Sequence, residues 1–194
     1  MRPCPEHDDL GCPMTRINRV NGEGPIPCSI MLIGEGPGKT EDKKGKPFAG
    51  KSGSELTHLY LGKCANIDRK NVRIDNLMKC RTNEKDRDPT VGEINACSQL
   101  LHAELLRVKP RFIGMIGRLA TQWLYGGATK ISMEKMHGFG YVLGSDYYSG
   151  AMVMPLYHPA FGLHNTAMMR WIMEDWTRFG KMVRGDKSVM WRAR

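Results

Sequence analysis

Ile30-Met31-Leu32-Ile33-Gly34-Glu35-Gly36-Pro37-Gly38, continued by Glu41-Asp42 and Gly45-Lys46-Pro47-Phe48-Ala49-Gly50, decides how this chain is read. An apolar run ends abruptly in a turn rich in glycine and proline, and two carboxylates and an aromatic ring follow at close spacing. The run reads as a buried strand and the Gly/Pro cluster as the loop at its carboxyl end. In an open parallel α/β sheet, ligands bind at that end of the strands. Glycines there let backbone N–H groups approach a ligand closely.

Working outward, the same alternation recurs. Residues 51–63 have helical apolar spacing, with Ser52 and Ser54 available as caps. Residues 72–79 read as a second strand, and Asp88-Pro89-Thr90 opens a helix over 91–108. Residues 112–117 form a third strand, followed by a helix near 118–126. Residues 151–156 form a fourth strand, ending at Tyr157-His158-Pro159-Ala160, and a helix over 165–183 closes the chain. Met168, Met169 and Met173 on that helix read as core packing. Strands alternating with helices predict a mostly parallel sheet covered on both faces. The chain shows no internal repeat, and its 194 residues suit one domain, 1–194, with an irregular polar segment at 1–28.

The net charge is +9, with clusters at Lys43/Lys44/Lys46 and Arg69/Lys70/Arg73. Phosphate contacts supply most non-specific DNA affinity, so a basic surface points to nucleic acid as partner. No apolar run is long enough to span a bilayer, and Met1–Asp9 lacks the apolar core of a signal peptide. The expectation is a soluble, intracellular (cytoplasmic) protein with no membrane partner. In a reducing compartment, its six cysteines read as metal ligands or core residues rather than disulfides.

Each strand delivers a polar element to one rim: Glu35 and Gly36, then Asn76, then His158. Such groups converge in this architecture, which makes a composite site more credible than any residue alone. Singly, Asn76 reads as a turn residue, His158 as a loop histidine and Phe48 as core. Together they match the chemistry of base excision, in which a base leaves its duplex and enters a pocket. Phe48 would stack on the base. The Asn76 amide carries a donor beside an acceptor, which matches the N3–H and O4 edge of uracil. His158 could donate to O2 as charge builds on the leaving base. Glu35 and Glu41 could position water or stabilise a cationic sugar.

With these residues in place the chain resembles the uracil-DNA glycosylase superfamily, and most closely its iron–sulfur family 4. The matching segments are Gly34-Glu35-Gly36-Pro37-Gly38 with Glu41-Asp42 and Gly45 to Gly53, then Asn76-Leu77-Met78-Lys79-Cys80-Arg81 with Arg87-Asp88-Pro89-Thr90, Glu93 and Cys97, and finally His158-Pro159-Ala160 with Leu163. The resemblance implies a three-layer α/β/α sandwich with a central four-stranded parallel sheet. It implies that Phe48 stacks on uracil, Asn76 reads it and His158 serves O2. Gly36 occupies the position where the best-known members carry a water-activating aspartate. Glu41 matches a carboxylate near C5 that would exclude thymine, and Glu35 matches the motif carboxylate. Pro159, Ala160, Phe161 and Leu163 match the loop that wedges into DNA, with Phe161 or Leu163 as the apolar tip.

The resemblance also implies cluster ligands at Cys80 and Cys97, with Cys4 and Cys12 as the remaining pair. Family members usually separate that pair by two residues, whereas seven intervene here. Four thiolates suit a [4Fe–4S] cluster or zinc, and the resemblance favours the cluster. Cys28 reads as core, and Cys64 has no counterpart as a ligand. The implied activity is monofunctional hydrolysis of the N-glycosidic bond of uracil in single- and double-stranded DNA by a monomer, leaving an abasic site. No lysine sits in a Schiff-base context, so strand cleavage is not expected. Two other readings stand beside it: a relative with shifted base specificity, and a catalytically weak DNA- or protein-binding module, against which Phe48, Asn76 and His158 argue.

Overall fold

Strand β1 (Ile30–Gly34) is an interior strand of the sheet and is buried throughout. It pairs in parallel with β2 (Arg73–Asn76) on one side and with β3 (Phe112–Ile116) on the other. β5 (Met152–Leu156) adds in parallel to β3, and the two-residue β4 (Tyr141–Val142) closes the edge antiparallel to β5. The five-stranded order is β2-β1-β3-β5-β4. The computed structural model describes residues 10–14, 18–82, 87–125, 131–144 and 150–191.

Strand periodicity explains the layers. Successive side chains point to opposite faces, so Ile30 and Leu32 enter one apolar cluster while Met31 and Ile33 enter the other. The first cluster is sealed by the segment after β1 and by α7 (Met169–Val183), through Leu56, Tyr60, Ile172, Trp176 and Phe179. The second is sealed by α3 (Val91–Val108) and α4 (Arg118–Leu124), through Leu101, Leu105, Val108 and Ala120. The expected α/β architecture with both faces covered is present. The strand count differs, because the short antiparallel β4 joins the four parallel strands. Two residues make too brief a periodic signal to be read from sequence.

Several element boundaries also differ. The helix expected over 51–63 begins as α2 (Lys51–Glu55) and continues as a π-helix over Leu56–Ala65. Its N-cap is Gly50 with no side-chain cap, so the serines do not serve there. β2 ends at Asn76, three residues earlier than expected, although Leu77 N–H and Met78 N–H still donate to the carbonyls of Gly34 and Glu35. The last helix starts at Met169, preceded by a 3₁₀ turn at Thr166–Met168 and by α6 (Pro159–His164). Met168 and Met169 pack on the core, whereas Met173 is exposed. The described residues also include two short helices, α1 (Lys39–Lys44) and α5 (Met133–Met136), and 3₁₀ turns at Arg69–Asn71 and Lys187–Val189. By contrast, α3 starts where expected: Thr90 and Glu93 form a reciprocal capping box. Among the described residues, no helix is long and apolar enough to cross a membrane.

Candidate active site

The chain runs from β1 outward to β2, then returns to place β3 on the other side of β1. That reversal opens a crevice at the carboxyl ends of the strands. A cavity of about 160 Å³ lies there, lined by Gly36, Gly38, Glu41, Phe48, Ser52, Asn76 and His158. Residues from four separate stretches thus meet in one small space. Five of the expected site residues, Gly36, Glu41, Phe48, Asn76 and His158, are among them.

Asn76 is the last residue of β2 and is buried. It sits opposite Gly34 in the ladder, and a Cβ on Gly34 would collide with Asn76 Oδ1 and approach Phe48 Cζ to 2.8 Å. The amide and the ring therefore occupy the volume that a side chain at residue 34 would take. Phe48 holds a left-handed backbone with φ of 51°, a conformation that bulky residues rarely adopt. Gly53 of α2 lies directly against its backbone, and a Cβ there would overlap the Phe48 carbonyl. Residue 53 must lack a side chain for α2 to press on the strained turn that carries the ring.

Glu41, on α1, accepts the N–H of Gly50 at 2.8 Å. That bond ties α1 to the start of α2 and closes the loop around Phe48. Lys44 Nζ braces the same loop through the carbonyl of Ala49 at 3.3 Å.

His158 follows β5 and is the N-cap of α6, with Pro159 at its first turn. Its Nδ1 accepts the N–H of Ala160 at 3.1 Å. A nitrogen that accepts cannot carry the proton, so the neutral ring bears it on Nε2. Burial pushes the imidazole down to about 4 from an ordinary 6.5, with nearby Glu41 opposing the shift. His158 is therefore neutral near pH 7 and offers one N–H donor. Its ring lies 25° from parallel to that of Phe48, with centroids 5.8 Å apart.

Glu35 goes elsewhere. It lines a neighbouring cavity of about 210 Å³ with Met78, Cys80, Thr82, Arg87, Asp88 and Leu119. The two cavities share Gly36 and Gly38. One Glu35 oxygen accepts the N–H of Leu119 at 2.8 Å, at the start of α4. Burial raises its pKa, while that N–H and Arg118 oppose the rise. The side chain also fills the space that a Cβ on Gly117 would need. Here Glu35 bridges the ends of β1 and β3 and is absent from the lining of the smaller cavity.

In the segment after His158, Pro159 is buried and Phe161 is 44 % exposed, its ring stacked on Tyr157 at 5.6 Å. Leu163 is half-buried, so Phe161 is the more accessible of the two candidate wedge tips. In the Arg69/Lys70/Arg73 cluster Lys70 is exposed, but the two arginines are engaged: Arg73 bonds Glu104 and the Gly24 carbonyl, and Arg69 bonds Glu23. Those two cations stabilise the fold rather than extend a free basic surface.

Cys12, Cys80 and Cys97 pack into one apolar cluster with Met14, Met78 and Ile94. Cys80 and Cys97 are buried and Cys12 is partly so. Among the described residues, no three His, Cys, Asp or Glu side chains are arranged to grip a metal. Cys4 lies outside the described residues. Cys28 is buried in the second core cluster and donates to the Ile30 carbonyl. Sequence reasoning missed Gly34, Ser52 and Gly53 as parts of the site. A glycine at the last position of a strand was the one available signal for a close approach by a neighbour.

The uracil DNA glycosylase superfamily model matches residues 21–179. The Type-4 uracil-DNA glycosylase of Saccharolobus solfataricus is 39 % identical over 168 residues, 84 % of this chain and 75 % of its own. That of Thermotoga maritima is 36 % identical over 174 residues, 89 % and 83 % of the two chains. That of Archaeoglobus fulgidus is 30 % identical over 170 residues, 87 % and 83 %.

Proposed function

Since this chain belongs to the uracil-DNA glycosylase superfamily and to its type-4 members, we propose that it removes uracil from DNA by hydrolysing the N-glycosidic bond, leaving an abasic site. The observation that carries this is the small cavity in which Phe48, Asn76, His158 and Glu41 meet at the strand ends.

The flipped base enters that cavity and lies against Phe48. The Asn76 amide pairs with its N3–H and O4, and cytosine, with a donor at that edge, is refused. Negative charge collects on the base as the glycosidic bond lengthens. The neutral His158 donates from Nε2 to O2 and stabilises that charge without surrendering its proton. Burial supports the role, because it keeps the ring neutral and its single donor oriented. Gly36 brings no carboxylate to the wall. Leaving-group stabilisation and the nearby Glu41 charge therefore carry more of the work than water activation by residue 36. Phe161 enters the stack that the base vacates, with Leu163 behind it. Both single strands and duplexes serve as substrate, and one domain acting as a monomer carries all of this.

The same reading gives the thiols a cofactor. Cys12, Cys80 and Cys97 already share an apolar nest, and Cys4 completes four ligands. A [4Fe–4S] cluster, or zinc, would tie the N-terminal segment to the span between Cys80 and Cys97 and contribute stability rather than chemistry.

The test pairs two measurements on the purified protein. Uracil-containing oligonucleotides should yield free uracil and alkali-labile sites, with no strand break before alkali. The protein should be brown, with broad absorbance near ~400 nm from thiolate-to-iron charge transfer. No release of uracil from either strand form would refute the activity. A colourless protein holding one zinc would replace the cluster with the metal.

A further inference from the structure

Asp75 and Lys79 form an ion pair at 2.5 Å with side chains only 2 % and 3 % exposed. A buried pair is weak evidence for stability, since apolar residues of similar volume often serve as well. What distinguishes this pair is its second set of partners. Asp75 Oδ1 accepts the backbone N–H of Asn76 at 2.8 Å, and Lys79 Nζ donates to the backbone carbonyl of Asn76 at 2.9 Å. Both bonds fall on the residue whose amide lines the base cavity.

The sheet explains why they are needed. β2 is an edge strand, and alternate residues of a strand turn their backbone groups to opposite sides. Leu77 N–H bonds inward to Gly34. Ile74 turns outward, and both of its backbone groups are met by Glu23 of the segment that crosses the edge. Asn76 turns outward too, one step beyond that bridge. Its N–H and carbonyl are met by the side chains of Asp75 and Lys79 instead of by backbone. The crossing segment then covers the pair. Val20 N–H donates to the Lys79 carbonyl at 2.7 Å, and a Cβ on Gly22 would lie 2.9 Å from Asp75 Cγ.

We propose that the Asp75–Lys79 pair is a positioning device for base recognition, clamping the backbone of Asn76 so that its amide meets uracil in one register. This rests on the reading that the cavity receives uracil. Neither side chain touches the base. Without the clamp, Asn76 remains in place as a residue, but its buried backbone groups must seek other partners, and the amide swings with them. Displacements of about 1 Å in a positioned group can cost up to ~10²-fold in rate.

The experiment compares the parent with Lys79→Met, Lys79→Arg and Asp75→Asn, each assayed where circular dichroism shows it folded. Lys79→Met should lower single-turnover uracil excision about tenfold or more. Inhibition by free uracil, which reads the Asn76 edge directly, should weaken in proportion. Affinity for duplex DNA carrying an abasic site should stay within about twofold, since phosphate contacts dominate it. Lys79→Arg, which keeps a cationic donor, should recover most of the loss. Asp75→Asn, which keeps the acceptor for Asn76 N–H, serves if Lys79→Met does not fold, and should weaken uracil inhibition in the same direction. Parental uracil inhibition in either folded variant overturns the clamp. So does a loss of DNA affinity as large as the loss of rate, because that marks general damage. A parent chain that neither excises uracil nor is inhibited by it overturns instead the reading on which the clamp rests.

Discussion

At the scale of single residues, the proposed chemistry turns on what burial does to His158. The folded ring titrates at about 4, below its ordinary 6.5. The unfolded chain therefore binds the proton first as pH falls. This residue's contribution to stability is present above the ordinary value and is lost as pH drops through that window. Urea melts of the parent and of His158→Asn at pH values above and below the window should show a larger loss for the parent. Excision itself should stay flat through neutral pH, because His158 does not titrate there. His158→Ala should lower single-turnover excision by about 10²–10³, or roughly 3–4 kcal/mol, as loss of one oxyanion donor does. DNA affinity, measured in parallel, should change little. Parental excision by His158→Ala would reduce the residue to a helix cap.

At the scale of elements, the site depends on places where a helix or strand lacks a side chain. Gly53 lets α2 rest on the Phe48 carbonyl, and Gly34 lets β1 receive the Asn76 amide and the Phe48 ring. Gly53→Ala adds a methyl group where backbone already stands. An unfolding titration should show a cost of about 1–3 kcal/mol from overpacking. If α2 is what holds the left-handed turn at Phe48, excision should fall further than stability alone explains, with free uracil binding more weakly. Thr90→Ala, at the capping box of α3, provides a contrast. It should cost about 1 kcal/mol of stability and leave excision intact, since Thr90 lines neither cavity.

At the scale of the whole molecule, the net charge of +9 predicts DNA binding that weakens steeply with salt as Lys and Arg side chains displace counterions from phosphate. The structure narrows which cations contribute. Arg69 and Arg73 are engaged with Glu23 and Glu104, so Arg73→Gln should destabilise the fold while scarcely changing the salt slope. Lys43, in the last turn of α1, is exposed beside the site, and replacing it should reduce the slope by about one unit for the phosphate left without its lysine. A fluorescence anisotropy series over salt would measure both effects, and binding indifferent to salt would remove DNA as the partner.

The architecture was legible in the residues alone, and so were the candidates that line the smaller cavity. Apolar runs of strand length in Ile30–Gly34 and Phe112–Ile116, each followed by a helical period, specify parallel strands covered on both faces. Motif order then named Phe48, Asn76 and His158. These are local signals, carried by neighbouring residues whose spacing is set by covalent geometry. Three-dimensional packing settled the rest: Glu35 turns toward α4 while Glu41 lines the smaller cavity, although both carboxylates sit in the same motif. It decided too that the glycines at 34 and 53 make room for the amide and the ring, and that Arg73 is engaged by Glu104. Such outcomes depend on how backbone and side chains pack in three dimensions. Their cause is the exclusion of one atom by another, which no reading of periodicity or charge contains.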